Sequence, residues 1–238
     1  MEGVRCYCDS LDDYVEDLVT GAKRACTLGL VGFPSHMEYS GNPLADGHMA
    51  SFGAVNDGVA ASPMGSHPSL PHFVLGASLG GCLATVASLK YPHLFNGTIL
   101  LAAMLSLEKV SRQGLNPYLL HFGNLLSYFL PTLPCANASK NNAFPDLQVA
   151  YDADPNCWQG MTRARNAMEY VRWTNKLMAP GGMEQVISPL LIFHGLNDDL
   201  CDSDGSKALY LRASSQDKTL RLLENFWHVL TKVCLCSL

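Results

Sequence analysis

HFVLGASLGGCLATVASLK, residues 72–90, is the stretch from which the fold can be read. The apolar run Phe73, Val74 and Leu75 leads into Gly76-Ala77-Ser78-Leu79-Gly80, and mostly small, apolar residues from Cys82 to Lys90 follow, stopped before Pro92. A short apolar run of this kind reads as a buried parallel strand, the small-residue run as a helix, and the glycine-flanked segment as a tight turn between them. Gly-x-Ser-x-Gly at a strand-to-helix turn exposes the serine hydroxyl, and its glycines avoid clashes that side chains would cause. At ordinary glycine and serine frequencies a chain this long holds the pattern by chance ~0.1 times, so the flanking strand and helix carry the reading. Ser78 is the candidate nucleophile. The Leu79 N–H, opening the helix, is the candidate oxyanion donor. The plainer alternative is an ordinary turn serine.

Outward from the turn, residues 96–101 and 189–193 read as further apolar strands and 219–223 as strand-like. Strand, helix and strand in alternation argue an α/β fold with a mainly parallel sheet. Residues 11–26 read as an amphipathic helix, with Ser10 as N-cap, acids in the first turn, and Lys23 and Arg24 in the last. A short strand is expected at 28–33, ended by Pro34. Residues 35–71 are rich in Gly, Ser, Pro and Met, with one short helix expected near 51–61. Between 104 and 182 the pattern changes to helices, at 119–130 and 158–178, separated by Pro- and Asn-rich loops without a strand. Such an insertion would sit over the carboxyl ends of the strands, where open α/β sheets bind ligands. The expected division is therefore 1–103 and 183–238 as core, with 104–182 as a helical cap.

A serine alcohol needs a base, and the base an orienting acid. With a serine on a Gly-x-Ser-x-Gly strand-to-helix turn, both are expected to follow it in the chain, with the acid just past a late strand. LLIFHGLNDD, residues 190–199, supplies a strand and a loop bearing Asp198 and Asp199. His228 is the only histidine after that loop, which makes it the candidate base. Either aspartate could orient it, and a histidine packed beside Trp227 is the bland rival. His194 reads as a structural residue at a strand end, and Asp152 and Asp154 as solvated carboxylates in a loop before Pro155.

The composition narrows the function classes. A formal charge of -5 leaves no basic footprint for nucleic acid. The nine cysteines are an odd number without a disulfide-framework or zinc-ligand pattern, which favours a reducing, cytoplasmic setting. No run of 18 apolar residues is present. The nearest is YLLHFGNLLSYFL, residues 118–130, interrupted by His121 and Asn124 and suited to a membrane surface or a greasy pocket as well as to a buried helix.

At these residues the chain resembles the monoacylglycerol lipase-like branch of the α/β-hydrolases, the serine aminopeptidase S33 or hydrolase-4 group. The matching stretches are FVLGASLGGC at 73–82, HGLNDDLCDS at 194–203 and WHVL at 227–230. MLSLEKVSRQGLNPYL at 104–119 is similar to the segment that opens the family's cap, and residues 11–24 to the helix before the elbow strand. Similarity then runs from about 71 to 232. In the family's pattern two residues separate His-Gly from the acid, which selects Asp198. The resemblance implies a serine esterase with a Ser78, Asp198 and His228 triad. Its substrate would be a lipid ester, foremost a monoacylglycerol, and it would need no cofactor or metal. A lysophospholipase or peptidase on the same fold is the alternative within the class. The implied setting is cytoplasmic, with peripheral contact at membranes or lipid droplets through the cap. The chain departs from the pattern in having no His-Gly-x-Gly before Ser78, the loop that supplies the family's second oxyanion donor, and in offering no counterpart for residues 28–70. These departures imply a fold truncated at its N-terminal side, and they motivate a second reading as a catalytically impaired lipid-binding pseudoenzyme.

Overall fold

The computed structural model describes residues 7–27, 71–111, 116–136, 140–141 and 144–231; the strand expected at 28–33 and the helix near 51–61 lie outside them. In chain order the elements are α1 (Leu11–Thr27), β1 (Phe73–Ala77), α2 (Leu79–Lys90), β2 (Gly97–Leu101), α3 (Glu108–Ser111), α4 (Asn116–Phe129), β3 (Pro134–Ala136), α5 (Pro145–Ala153), β4 (Thr162–Arg163) and α6 (Ala164–Met178). A 3-10 turn (Met183–Gln185), β5 (Leu190–Gly195), α7 (Ser203–Arg212) and β6 (Lys218–Leu223) complete it.

Four strands form one parallel sheet in the order β1-β2-β5-β6. The register sets Ala77 beside Leu101, Leu101 beside Phe193, and Gly195 beside Leu223, so the carboxyl ends finish along one rim. That rim carries the candidate residues. On one face Val74, Leu100, Ile192 and His194 are buried. There α2 touches the sheet through Ser88 Oγ, 2.7 Å from Thr98 Oγ1, and α7 through Ser206 Oγ, 2.7 Å from His194 Nδ1. The helix α1 packs on α2 with Leu11, Val15 and Val19 buried at a spacing of four, the stripe its amphipathic pattern dictates. Ser10 Oγ accepts from Asp12 N at 3.1 Å and caps it. On the opposite face, among the described residues, Phe73 and Leu75 are exposed and Ile99, Leu101, Leu191 and Phe193 partly so.

The stretch 104–182 differs from the expectation in three ways. It contains strands: β3 and β4 pair antiparallel, too short to show a period. Its last helix starts at Ala164 rather than 158, because Thr162 and Arg163 are drawn into that pair. And the stretch holding Asp152 is helical. Pro145 there occupies the first turn, where a missing N–H costs nothing, so it starts α5 instead of breaking it. The helix α6 packs against both α4 and α1, and Glu169 Oε2 accepts from Leu11 N at 3.0 Å. The helix α6 is thus tied to the N-terminus of α1, where a carboxylate is favoured.

Candidate active site

Ser78 stands between β1 and α2 with φ 52° and ψ −121°, a left-handed conformation that costs a non-glycine residue about 1–3 kcal/mol. The surroundings hold it there. Its N–H donates to Leu101 O at 3.0 Å, and its carbonyl accepts from Gly81 N at 3.0 Å and Met104 N at 2.9 Å. Glycine is required on either side for different reasons. A Cβ on Gly76 would overlap the Gly80 carbonyl, and one on Gly81 would overlap Ala103. Gly80, the second glycine of the motif, has no described neighbour in the way. Leu79 is the first residue of α2, so its N–H has no partner within that helix.

Gly195 ends β5 where the segment bearing His228 passes: a Cβ there would strike the Phe226 and Trp227 carbonyls. Leu196 N donates to Leu223 O at 2.9 Å and Asn197 N to Phe226 O at 3.1 Å, fastening the acid loop to the histidine loop. Across this seam Asp198 Oδ2 meets His228 Nδ1 at 2.8 Å, with the Asp198 side chain fully buried and the His228 side chain 11% exposed. Asp198 Oδ1 accepts from Leu200 N and Cys201 N, each at 2.9 Å. Burial alone would push this carboxyl up. Hydrogen bonds from His194, His228 and the Cys201 backbone outweigh it and hold the group well below the usual carboxylate range. Asp199 points elsewhere and accepts the Trp227 indole N–H. The carboxylate on the imidazole is therefore that of Asp198.

Ser78 and the Asp198–His228 pair lie along the same rim. Among the described residues the Ser78 hydroxyl contacts the Cys201 thiol, Sγ at 4.0 Å, rather than the imidazole. Burial pushes the Cys201 and Cys82 thiols up to about 12, so both are neutral. Cys201 was not singled out by the sequence, which showed only one scattered cysteine among nine; its place two residues past the acid pair was the available signal. No group of His, Cys, Asp and Glu among the described residues could hold a metal ion.

The sequence profile described as serine aminopeptidase, S33, matches residues 42–232, beginning inside the stretch for which the sequence offered no counterpart. The monoglyceride lipase of Rattus norvegicus is 29% identical over 171 residues, which cover 70% of this chain and 54% of that one. The monoacylglycerol lipase of Mycolicibacterium smegmatis is 28% identical over 173 residues, covering 72% and 59%. The chain thus spans little more than half the length of these relatives. Among solved structures, the monoacylglycerol lipase of Paleococcus ferrophilus matches with a TM-score of 0.57 at 19% identity, over 66% of this chain and 60% of that one. A soluble variant of the Saccharomyces cerevisiae monoglyceride lipase, in complex with a substrate analog, matches at 0.56 and 19%, over 67% and 55%. These likenesses show the α/β-hydrolase fold. With the profile covering most of its length, the chain belongs to the serine aminopeptidase S33 family of α/β-hydrolases.

Proposed function

We propose that the protein is a serine esterase of lipid substrates, foremost a monoacylglycerol lipase. The observation that carries this reading is the buried Asp198 carboxylate on His228 Nδ1 at 2.8 Å, on the same sheet rim as the strained Ser78. With Nδ1 held by Asp198, the proton-accepting atom is Nε2. Ser78 Oγ attacks the ester carbonyl while Nε2 takes its proton; the oxyanion is met by the Leu79 N–H. The imidazolium then protonates the departing alcohol, and water, deprotonated by Nε2, releases the fatty acid and frees Ser78. Residues 104–182 act as the cap over a core of 1–103 and 183–238. The names of the relatives, lipases of monoacylglycerols, support the substrate class.

The cap also supports a peripheral membrane contact. On α4 Phe122, Leu125 and Phe129 are exposed at helical spacing, while no helix among the described residues is long and apolar enough to cross a membrane. A second reading, a lipid-binding module that does not turn over, draws on the Ser78 hydroxyl facing Cys201 Sγ. Labelling by a fluorophosphonate probe separates the two. Prompt labelling of the folded chain, lost in Ser78→Ala and His228→Ala, supports the esterase; a folded chain that takes no label fits only the binding module.

A further inference from the structure

His194 has no exposed surface, lies outside the triad, and yet touches its acid. Its Nε2 is 3.2 Å from Asp198 Oδ2 and 3.2 Å from the Cys201 carbonyl oxygen. Both neighbours are acceptors, so Nε2 must carry the ring proton. Its Nδ1 lies 2.7 Å from Ser206 Oγ on α7, the one partner there that can donate. One arrangement satisfies the whole ring: the Ser206 hydroxyl donates to Nδ1, and Nε2–H donates to the Cys201 carbonyl while lying against the Asp198 carboxylate. The buried carboxylate has about four acceptor directions. Leu200 N and Cys201 N fill those on Oδ1; His228 Nδ1 and His194 Nε2 share Oδ2. Without the second imidazole, Oδ2 loses a donor and the carboxylate loses the contact that fixes its position between α7 and the His228 loop.

We propose that His194, oriented by Ser206, is a positioning residue that locks the Asp198 carboxylate onto His228. The proposal rests on the esterase reading above. Glutamine at 194 could reproduce the Nε2–H donor at similar reach; leucine could not.

The test uses the full chain, with two readouts. One is the rate of fluorophosphonate labelling. The other is the proton NMR signal downfield of the amide region that a strong His228 Nδ1–H to Asp198 bond gives, which needs no turnover. In His194→Leu the downfield signal is expected to broaden away and labelling to slow by about tenfold to a hundredfold, as for a lost hydrogen bond to a buried charge. His194→Gln restores both. A His194→Leu protein that is folded by near-ultraviolet circular dichroism and keeps signal and labelling rate overturns the proposal. If that variant does not fold, Ser206→Ala carries the test: labelling slowed by about threefold to tenfold supports the chain of contacts, and unchanged labelling overturns it. Labelling that persists in Ser78→Ala would instead sink the esterase reading, and the downfield signal would still decide whether His194 holds the Asp198–His228 pair.

Discussion

A serine with φ 52° is held against its own preference, and the strain sits on the residue proposed to react. Glycine adopts that conformation freely. Ser78→Gly is therefore expected to raise stability by about 1 kcal/mol, seen as a higher thermal midpoint, while abolishing fluorophosphonate labelling. A melt unchanged or lowered would mean that the contacts of the serine side chain outweigh its backbone strain. Ser78 was legible because a short motif lies between two recognisable elements, and His228 because elimination left it alone. The choice between Asp198 and Asp199 was not open to residue reading. It depends on which carboxylate turns toward the imidazole, and the difference is that the indole of Trp227 takes Asp199.

At the scale of elements the elbow is a packing problem as much as a chemical one. Gly76 and Gly81 are where β1, α2 and Ala103 approach backbone to backbone, whereas Gly80 faces no described atom within 4 Å. Gly76→Ala and Gly81→Ala should each lower the melting midpoint and reduce labelling, by about 1–3 kcal/mol of overpacking. Gly80→Ala, inside a helix, should be neutral or stabilising by up to about 1 kcal/mol. Equal losses at all three would refute this ordering. The junction of α1, α2 and α6 gives a pH-dependent counterpart. Burial pushes the Asp12 carboxyl up, but hydrogen bonds from Lys90 at 2.7 Å and Arg172 at 2.8 Å prevail and hold it down to about 2. A depressed folded value contributes stability above the unfolded value near 3.8 and loses it as pH falls toward about 2. Because Asp12 is about one-third exposed, the contribution at neutral pH is about 1 kcal/mol after screening. Asp12→Asn should lower the melting midpoint at pH 7 and low salt, and the gap from wild type should close on acidification to pH ~2. Of the helices at this junction α1 was legible from periodicity and capping and α2 from its small-residue run between the turn and Pro92, but the ion pairs join residues some 80 and 160 apart in the chain, a separation no local pattern reveals. The helix α7 has no local helix signal at its start. It opens Ser203-Asp204-Gly205-Ser206, a loop-like composition, and Gly205 is there because a Cβ would press on the Leu105–Ser106 backbone.

At the scale of the molecule, apolar side chains are exposed among the described residues both on the α4 stripe of Phe122, Leu125 and Phe129 and on the sheet face of Phe73 and Leu75. Only the first lies on the insertion proposed to cap the site, where a lipid substrate would enter. With a formal charge of -5 the chain gains nothing from anionic headgroups, so adsorption must come from apolar burial. Phe122, Leu125 and Phe129 are 69%, 60% and 66% exposed, and submerging each should contribute about 1 kcal/mol. The triple variant Phe122→Ser, Leu125→Ser, Phe129→Ser should therefore bind zwitterionic phosphatidylcholine vesicles about a hundredfold more weakly in co-sedimentation. Adding 0.5 M salt should not weaken the wild type. Phe73→Ser with Leu75→Ser removes comparable apolar surface from the sheet and should leave vesicle binding unchanged. If the sheet variant loses the vesicles and the α4 variant keeps them, the cap is not the membrane face. The exposed stripe on α4 would then need a different explanation, and the lipid would have to reach Ser78 from the opposite side of the sheet rim.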